Sequence, residues 1–266
     1  TNINNIMVHT KITINKNTEE IQTKQENLEI PRKDTIVIGH RGFPDGKYAD
    51  NTFEAYKNAF ENNFDMIEMD VQLCKSGEVI IYHDINIGNK LIRDMNYSDL
   101  LSNNIKTLTD FFIQMYNNKM KLLFDIKGKH DNVVDKILVV CDNFDVDYSN
   151  IYISSFNKLI ISDLIKRRKM GNNDNNDNNY NNMHNYKIGL ISDNNFYYDE
   201  INYQLDNLDF ISLSFNMLLV SYDDKLMDEC NKRKIKIFVW TINKKNPSEL
   251  LKKIPIDGYI SDVKLT

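Results

Sequence analysis

Two histidines and a pair of carboxylates stand where proton and phosphate chemistry could be done. His40, Arg41 and Gly42 come just after a short apolar run, Thr35–Ile38, and His83 and Asp84 come just after a second, Val79–Tyr82. Between them, Asp65–Leu73 carries Glu68 and Asp70. Side chains alternate along a strand, so Met66, Glu68, Asp70 and Gln72 share one face, and Ile67, Met69, Val71 and Leu73 the other. If such a strand is central, its two carboxylates repel and lose hydration unless a cation or strong donors compensate. An exposed antiparallel strand with a polar face would read the same way. The flanking histidines favour a site, because imidazole exchanges protons near neutral pH.

The elements that must position these residues repeat in a regular order. Candidate strands fall at Thr35–Ile38, Asp65–Leu73, Lys121–Ile126, Ile151–Ser155, Lys187–Ile191, Phe210–Ser214, Ile235–Val239 and Gly258–Ser261. A hairpin arm, Glu78–His83, returns through Lys75, Ser76 and Gly77. Helices are expected at Thr52–Asn62, capped by Asn51, at Leu108–Tyr116, entered through Thr109 or Asp110, and at Val133–Phe144 and Lys158–Lys169. Three more are expected at Ile201–Leu208, Tyr222–Lys232 and Pro247–Lys253. Alternation of this kind means parallel strands joined by crossover helices. Eight repeats over residues 35–266 suit a single-domain (β/α)8 TIM barrel. The alternative, a doubly wound open sheet, lacks its glycine-rich phosphate fingerprint after the first strand.

A barrel places chemistry at the C-terminal ends of its strands. His40, Glu68, Asp70, His83, Asp125, Lys127, Ser154, Ser155, Trp240 and Asp262 all fall at such ends, on one rim. Asp125 and Lys127 share a face with Leu123.

Composition narrows the classes. A formal charge of -5 argues against a sequence-independent nucleic-acid binder. No apolar run reaches the ~18 residues of a membrane span. Cys74, Cys141 and Cys230 are odd in number and far apart, which suits buried thiols rather than disulfides or a metal cluster. Residues 1–34 read as a disordered polar leader, and 171–184 as an Asn-rich disordered surface loop. The chain opens on Thr1 rather than Met, which fits loss of a preceding segment such as a signal peptide. The compartment is left open between cytoplasmic and secreted or vacuolar, and nothing here speaks to oligomeric state.

From Ile38 to about Val263 the chain resembles the glycerophosphodiester phosphodiesterase family. The matching motifs are His40-Arg41-Gly42, Asp50-Asn51-Thr52, Glu68 and Asp70, His83-Asp84, Asp125 and Lys127, Ser154–Phe156, Val239–Asn243 and Asp257–Asp262. The resemblance implies metal-dependent hydrolysis of a glycerophosphodiester, such as glycerophosphocholine or glycerophosphoethanolamine, to sn-glycerol 3-phosphate and an alcohol. It further implies that Glu68, Asp70 and Asp125 hold one divalent cation, Mg²⁺ or Ca²⁺. His40 and His83 would serve as general acid and base, and Arg41 and Lys127 would contact the phosphoryl oxygens. The chemistry is coherent: carboxylates suit a hard cation, and an anionic diester must be neutralised before a nucleophile can approach. Two positions depart from the family's usual glutamate, Asp50 and Asp125. The short interval between His83 and Asp125 implies that the extra domain inserted in some members is lacking.

Two other readings remain on sequence grounds. A lysophospholipase D would need an apolar entrance, for which Phe43, Phe156, Met217 and Leu218 are candidates. A catalytically silent binding barrel is disfavoured by the retained histidines and carboxylates. Trp240 is either barrel packing or a wall against the substrate. His9, His130 and His184 match no motif and lie in polar stretches.

Overall fold

The computed structural model describes residues 35–117, 119–129, 132–171, 185–193, 204–220, 223–243 and 254–265. The leader at 1–34, the Asn-rich tract from 172 onward, the helix expected at Pro247–Lys253 and the histidines His9, His130 and His184 lie outside them.

In chain order the strands are β1 (Ile36–Gly39), β2 (Met66–Leu73), β3 (Val79–Ile81), β4 (Asn86–Ile87), β5 (Lys90–Leu91), β6 (Lys106–Thr107), β7 (Leu122–Ile126), β8 (Ile151–Ser155), β9 (Lys187–Ser192), β10 (Phe210–Ser214), β11 (Lys236–Ile242) and β12 (Gly258–Ser261). Eight of them, β1, β2 and β7 through β12, pair in parallel with their neighbours. The ring closes because β1 bonds β12 on one edge and β2 on the other. The fold is the (β/α)8 barrel expected from the alternation.

Side-chain alternation divides the interior. The outward faces of the strands pack against helix residues such as Tyr56, Phe111, Ile137 and Ile161 in one large core. Inside the barrel, Ile38, Met66, Leu123, Tyr152, Phe210, Phe238 and Ile260 form a separate plug. The plug is close-packed: a Cβ on Gly189 would fall 2.1 Å from the Phe210 ring, so β9 supplies glycine where β10 supplies phenylalanine. One residue pair further along β2, β7, β8 and β10 the inward positions turn polar, and Glu68, Asp70, Asp125, Ser154 and Ser212 are all buried there. The apolar lower half thus forces the polar groups together at the C-terminal mouth.

The hairpin arm forms as expected. β3 runs antiparallel to β2, with Val71 opposite Ile81 and Leu73 opposite Val79, and the turn between them is closed by Cys74 N–H donating to Glu78 O at 3.1 Å. This hairpin carries His83 up to the mouth.

Local details differ from expectation in four places. The helix Phe53–Glu61 is capped by Thr52, whose Oγ1 accepts from Ala55 N–H, and not by Asn51. The helix Leu108–Gln114 is entered through Thr107, in a reciprocal box with Asp110. β11 runs on to Ile242, because its residues continue pairing with β10 and β12 beyond Val239. A helix at Phe215–Val220 also follows β10 directly, where none was expected. All three cysteines are buried free thiols.

Candidate active site

The loop after β1 is built by two left-handed residues, Arg41 (φ 52) and Gly42 (φ 92). A Cβ at Gly42 would lie 2.7 Å from the Ala55 carbonyl carbon, so only glycine lets the loop rest on the Phe53–Glu61 helix. The turn directs Arg41 N–H to Glu68 Oε2 at 2.6 Å. The Arg41 guanidinium donates from Nη1 to Asp50 Oδ2 at 3.0 Å. Its Nε lies 3.1 Å from Asp70 Oδ2, near enough for an ion pair but too poorly aligned for a hydrogen bond. Asn51 fixes the same carboxylate: its Nδ2 donates to Asp70 Oδ2 at 2.7 Å, and its Oδ1 accepts from Asp70 N–H and from the Tyr56 hydroxyl.

The acidic cluster spans two neighbouring strands. Asp70 on β2 stands opposite Asp125 on β7 in the parallel register. Glu68, Asp70 and Asp125 are 4%, 1% and 6% exposed, and one carboxylate oxygen of each lies within 4.8 Å of those of the other two. Lys127 Nζ bridges two of them, at 3.0 Å from Asp70 Oδ1 and 2.5 Å from Asp125 Oδ2. Three buried carboxylates therefore face two basic side chains, Arg41 and Lys127. The other Asp125 oxygen, Oδ1, is buried without a hydrogen-bond partner. An unmatched carboxylate charge and an orphaned carboxylate oxygen are what a divalent cation would satisfy, so this donor set fits one.

Both histidines are oriented by carboxylates. His40 continues β1, its N–H donating to Ser261 O at 3.0 Å, and its Nδ1–H donates to Asp262 Oδ1 at 2.6 Å. His83 Nδ1–H donates to Asp84 Oδ1 at 2.7 Å. In each ring this leaves Nε2 for proton transfer. Gln72, on the inward face of β2, donates to the carbonyls of Tyr82 and Asp84, both at 2.8 Å, and so pins the segment that carries His83.

His40, Arg41, Glu68, Asp70, His83, Asp125 and Lys127 line one cavity of about 150 Å³, together with Ser154, Phe156, Ser212 and Trp240. Trp240 donates its indole N–H to Ser212 O at 3.3 Å and meets the Phe156 ring edge-on at 5.6 Å, so it both packs and forms the cavity wall. Ser155 does not join them. Its hydroxyl donates to Ile126 O at 2.7 Å, outside the barrel lumen.

Burial and charge set the protonation of the site. Burial, then the Asp70 charge, push the Glu68 carboxyl up to about 8. Asp70 is also desolvated, but Lys127, Arg41 and the Asn51 amide hold it below the usual carboxylate range. Burial raises Asp125 despite Lys127 beside it. Burial lowers His40, yet the Asp262 hydrogen bond and the Glu68 and Asp262 charges outweigh it and raise the imidazole.

Every residue expected in the site, His40, His83, Arg41, Lys127, Trp240, Glu68, Asp70 and Asp125, reaches this one cavity. Of the apolar entrance expected for a lysophospholipid, only Phe156 does. Phe43, Met217 and Leu218 are 4%, 9% and 1% exposed and belong to the core outside the strands, because their elements turn them toward the helices. Sequence reading gave Asp262 a place on the rim but no partner, Asn51 only a capping role, and Gln72 and Ser212 no role. The first three act through contacts between distant segments, and Ser212 alone could have been found, by its alternation with Phe210.

The chain has recognisable relatives. It is 25% identical over 250 residues to a glycerophosphodiester phosphodiesterase of Caldanaerobacter subterraneus, covering 86% of this chain and 94% of that one. It superposes on the Thermotoga maritima glycerophosphodiester phosphodiesterase with a TM-score of 0.65 at 25% identity, covering 87% and 96% of the two chains. An Oleispira antarctica phosphodiesterase, solved with the product sn-glycerol-3-phosphate, shares the fold at a TM-score of 0.64 and 18% identity over 85% of this chain and 92% of that one. The family model for glycerophosphoryl diester phosphodiesterases matches residues 40–265, from the first site histidine to the end of the barrel. The chain belongs to the glycerophosphoryl diester phosphodiesterase family of enzymes.

Proposed function

We propose that the chain hydrolyses glycerophosphodiesters to sn-glycerol 3-phosphate and an alcohol, using His40 and His83 for proton transfer beside a divalent cation held by Glu68, Asp70 and Asp125. The observation that carries this reading is the convergence of two carboxylate-backed histidines and three buried carboxylates on one cavity at the barrel mouth. A hard cation at the acidic cluster, Mg²⁺ or Ca²⁺, would draw charge from the phosphoryl oxygens and make phosphorus more electrophilic.

The chain's own residues account for the rest. Arg41 and Lys127 stand beside the cluster to bind the remaining phosphoryl charge. One histidine takes the proton of the attacking hydroxyl, whether of water or of the substrate's own glycerol. The other returns a proton to the alcohol oxygen as its bond to phosphorus breaks. Asp262 and Asp84 hold the two rings in the tautomer that exposes Nε2. Trp240 and Phe156 wall the cavity against water.

The test is release of glycerol 3-phosphate by purified protein from glycerophosphocholine and glycerophosphoethanolamine, with Mg²⁺ or Ca²⁺ and with EDTA. Cation-dependent release from these diesters is expected. Turnover of lysophosphatidylcholine alone, or of no diester under any condition, would overturn the proposal.

A further inference from the structure

The catalytic cavity opens beside a second, larger space. This groove, of about 580 Å³, shares Lys127 and Phe156 with the cavity and is otherwise bounded by the end of β2, the β4–β5 hairpin and the loops after β7 and β8. A cavity of about 150 Å³ has room for a small fragment only, so one arm of a bound diester extends beyond it, and the groove adjoins it at Lys127 and Phe156. Among the described residues, the groove's charged lining groups are Arg93, Lys127, Lys129 and Lys158, with no carboxylate. Arg93 and Lys129 are exposed, and neither makes an ion pair with a carboxylate among the described residues. This runs against the whole chain, whose formal charge is -5. Nor do the described residues form an aromatic cage for a quaternary ammonium: the Phe156 ring already carries Lys127 Nζ at 5.4 Å from its centroid and the Trp240 ring at 5.6 Å.

We propose that this groove receives the leaving alcohol and selects one bearing a further negative charge, a phosphorylated head group above all. The inference rests on the glycerophosphodiesterase reading of the adjoining cavity. A cationic alcohol such as choline would enter a field of like charge, whereas a phosphorylated polyol would meet the exposed Arg93 and Lys129, with Leu73 and Leu91 also lining the groove.

The test compares kcat/KM, with saturating Mg²⁺, for glycerophosphoinositol and glycerophosphoinositol 4-phosphate, which differ by one phosphate. Two rim contacts at exposed positions together favour the phosphorylated substrate by about tenfold. The R93Q/K129Q variant should bring that ratio to near unity, and so should high salt on the wild type. Equal kcat/KM for the two substrates, or a ratio that R93Q/K129Q leaves unchanged, would overturn the proposal. Faster turnover of lysophosphatidylcholine than of either inositol diester would do so as well, by giving the groove to an acyl chain. Cleavage of no diester at all would remove the underlying reading, an outcome distinct from cleavage without head-group preference.

Discussion

His40 and His83 each commit Nδ1 to a carboxylate, which leaves the two Nε2 atoms for the proton transfers of the proposed mechanism. Replacing either by alanine should lower kcat at least ~10²-fold, since a positioned acid or base typically contributes that much or more. Near-wild-type turnover in either variant, measured with cation saturating, would remove that residue from the mechanism. Glu68 makes a second prediction. Its carboxyl is raised from 4.5 to about 8, so between those values the folded protein holds a proton that the unfolded chain has lost. By itself this residue makes folding less favourable as pH rises through that window. A cation must displace the same proton, so cation affinity should rise at least ~10-fold between pH 6 and pH 8. Calorimetric titration checks this, with Glu68→Gln as the variant that should bind weakly and lose the pH dependence; a flat profile in the wild type would contradict it. These residues were legible in the sequence because each sits in a short motif at a strand end. Asp262 was visible at a strand end and in a motif, but its partner was not, because its role lies in a hydrogen bond to a histidine 222 positions away.

At the scale of elements, periodicity and alternation located the eight barrel strands and the hairpin arm, since each buries an apolar outer face. Helix starts were less legible, because neighbouring Asn and Thr residues compete as caps. At Asn51-Thr52 the hydroxyl takes the cap and frees the amide to hold Asp70. The Phe215–Val220 helix escaped notice because it follows β10 without an intervening turn. Thr107 offers a clean test of local capping. Its hydroxyl accepts from Asp110 N–H at 3.0 Å while the Asp110 side chain accepts from Thr107 N–H at 3.0 Å. Thr107→Ala should cost about 1 kcal/mol in urea unfolding with turnover unchanged, and no loss of stability would show that the helix start is held by packing alone.

For the molecule as a whole, the apolar plug of the lower barrel sets the depth at which polar side chains can gather. Phe210 is fully buried among Tyr152, Phe238 and the space left by Gly189. Phe210→Ala should cost ~3–5 kcal/mol of stability through the cavity it leaves, measured by denaturant unfolding. A cost under ~1 kcal/mol would mean the plug is not what organises the barrel. The closed ring of strands was expected from eight repeats, but the groove beside the site was not. It depends on how the β4–β5 hairpin sits against the loops after β7 and β8, which no local pattern encodes. The most direct test of the central claim is turnover of a glycerophosphodiester by metal-stripped protein as Mg²⁺ or Ca²⁺ is titrated back. Glycerol 3-phosphate release should be absent in the stripped protein and should saturate at one bound cation per chain. Full turnover by stripped protein in EDTA would contradict the account.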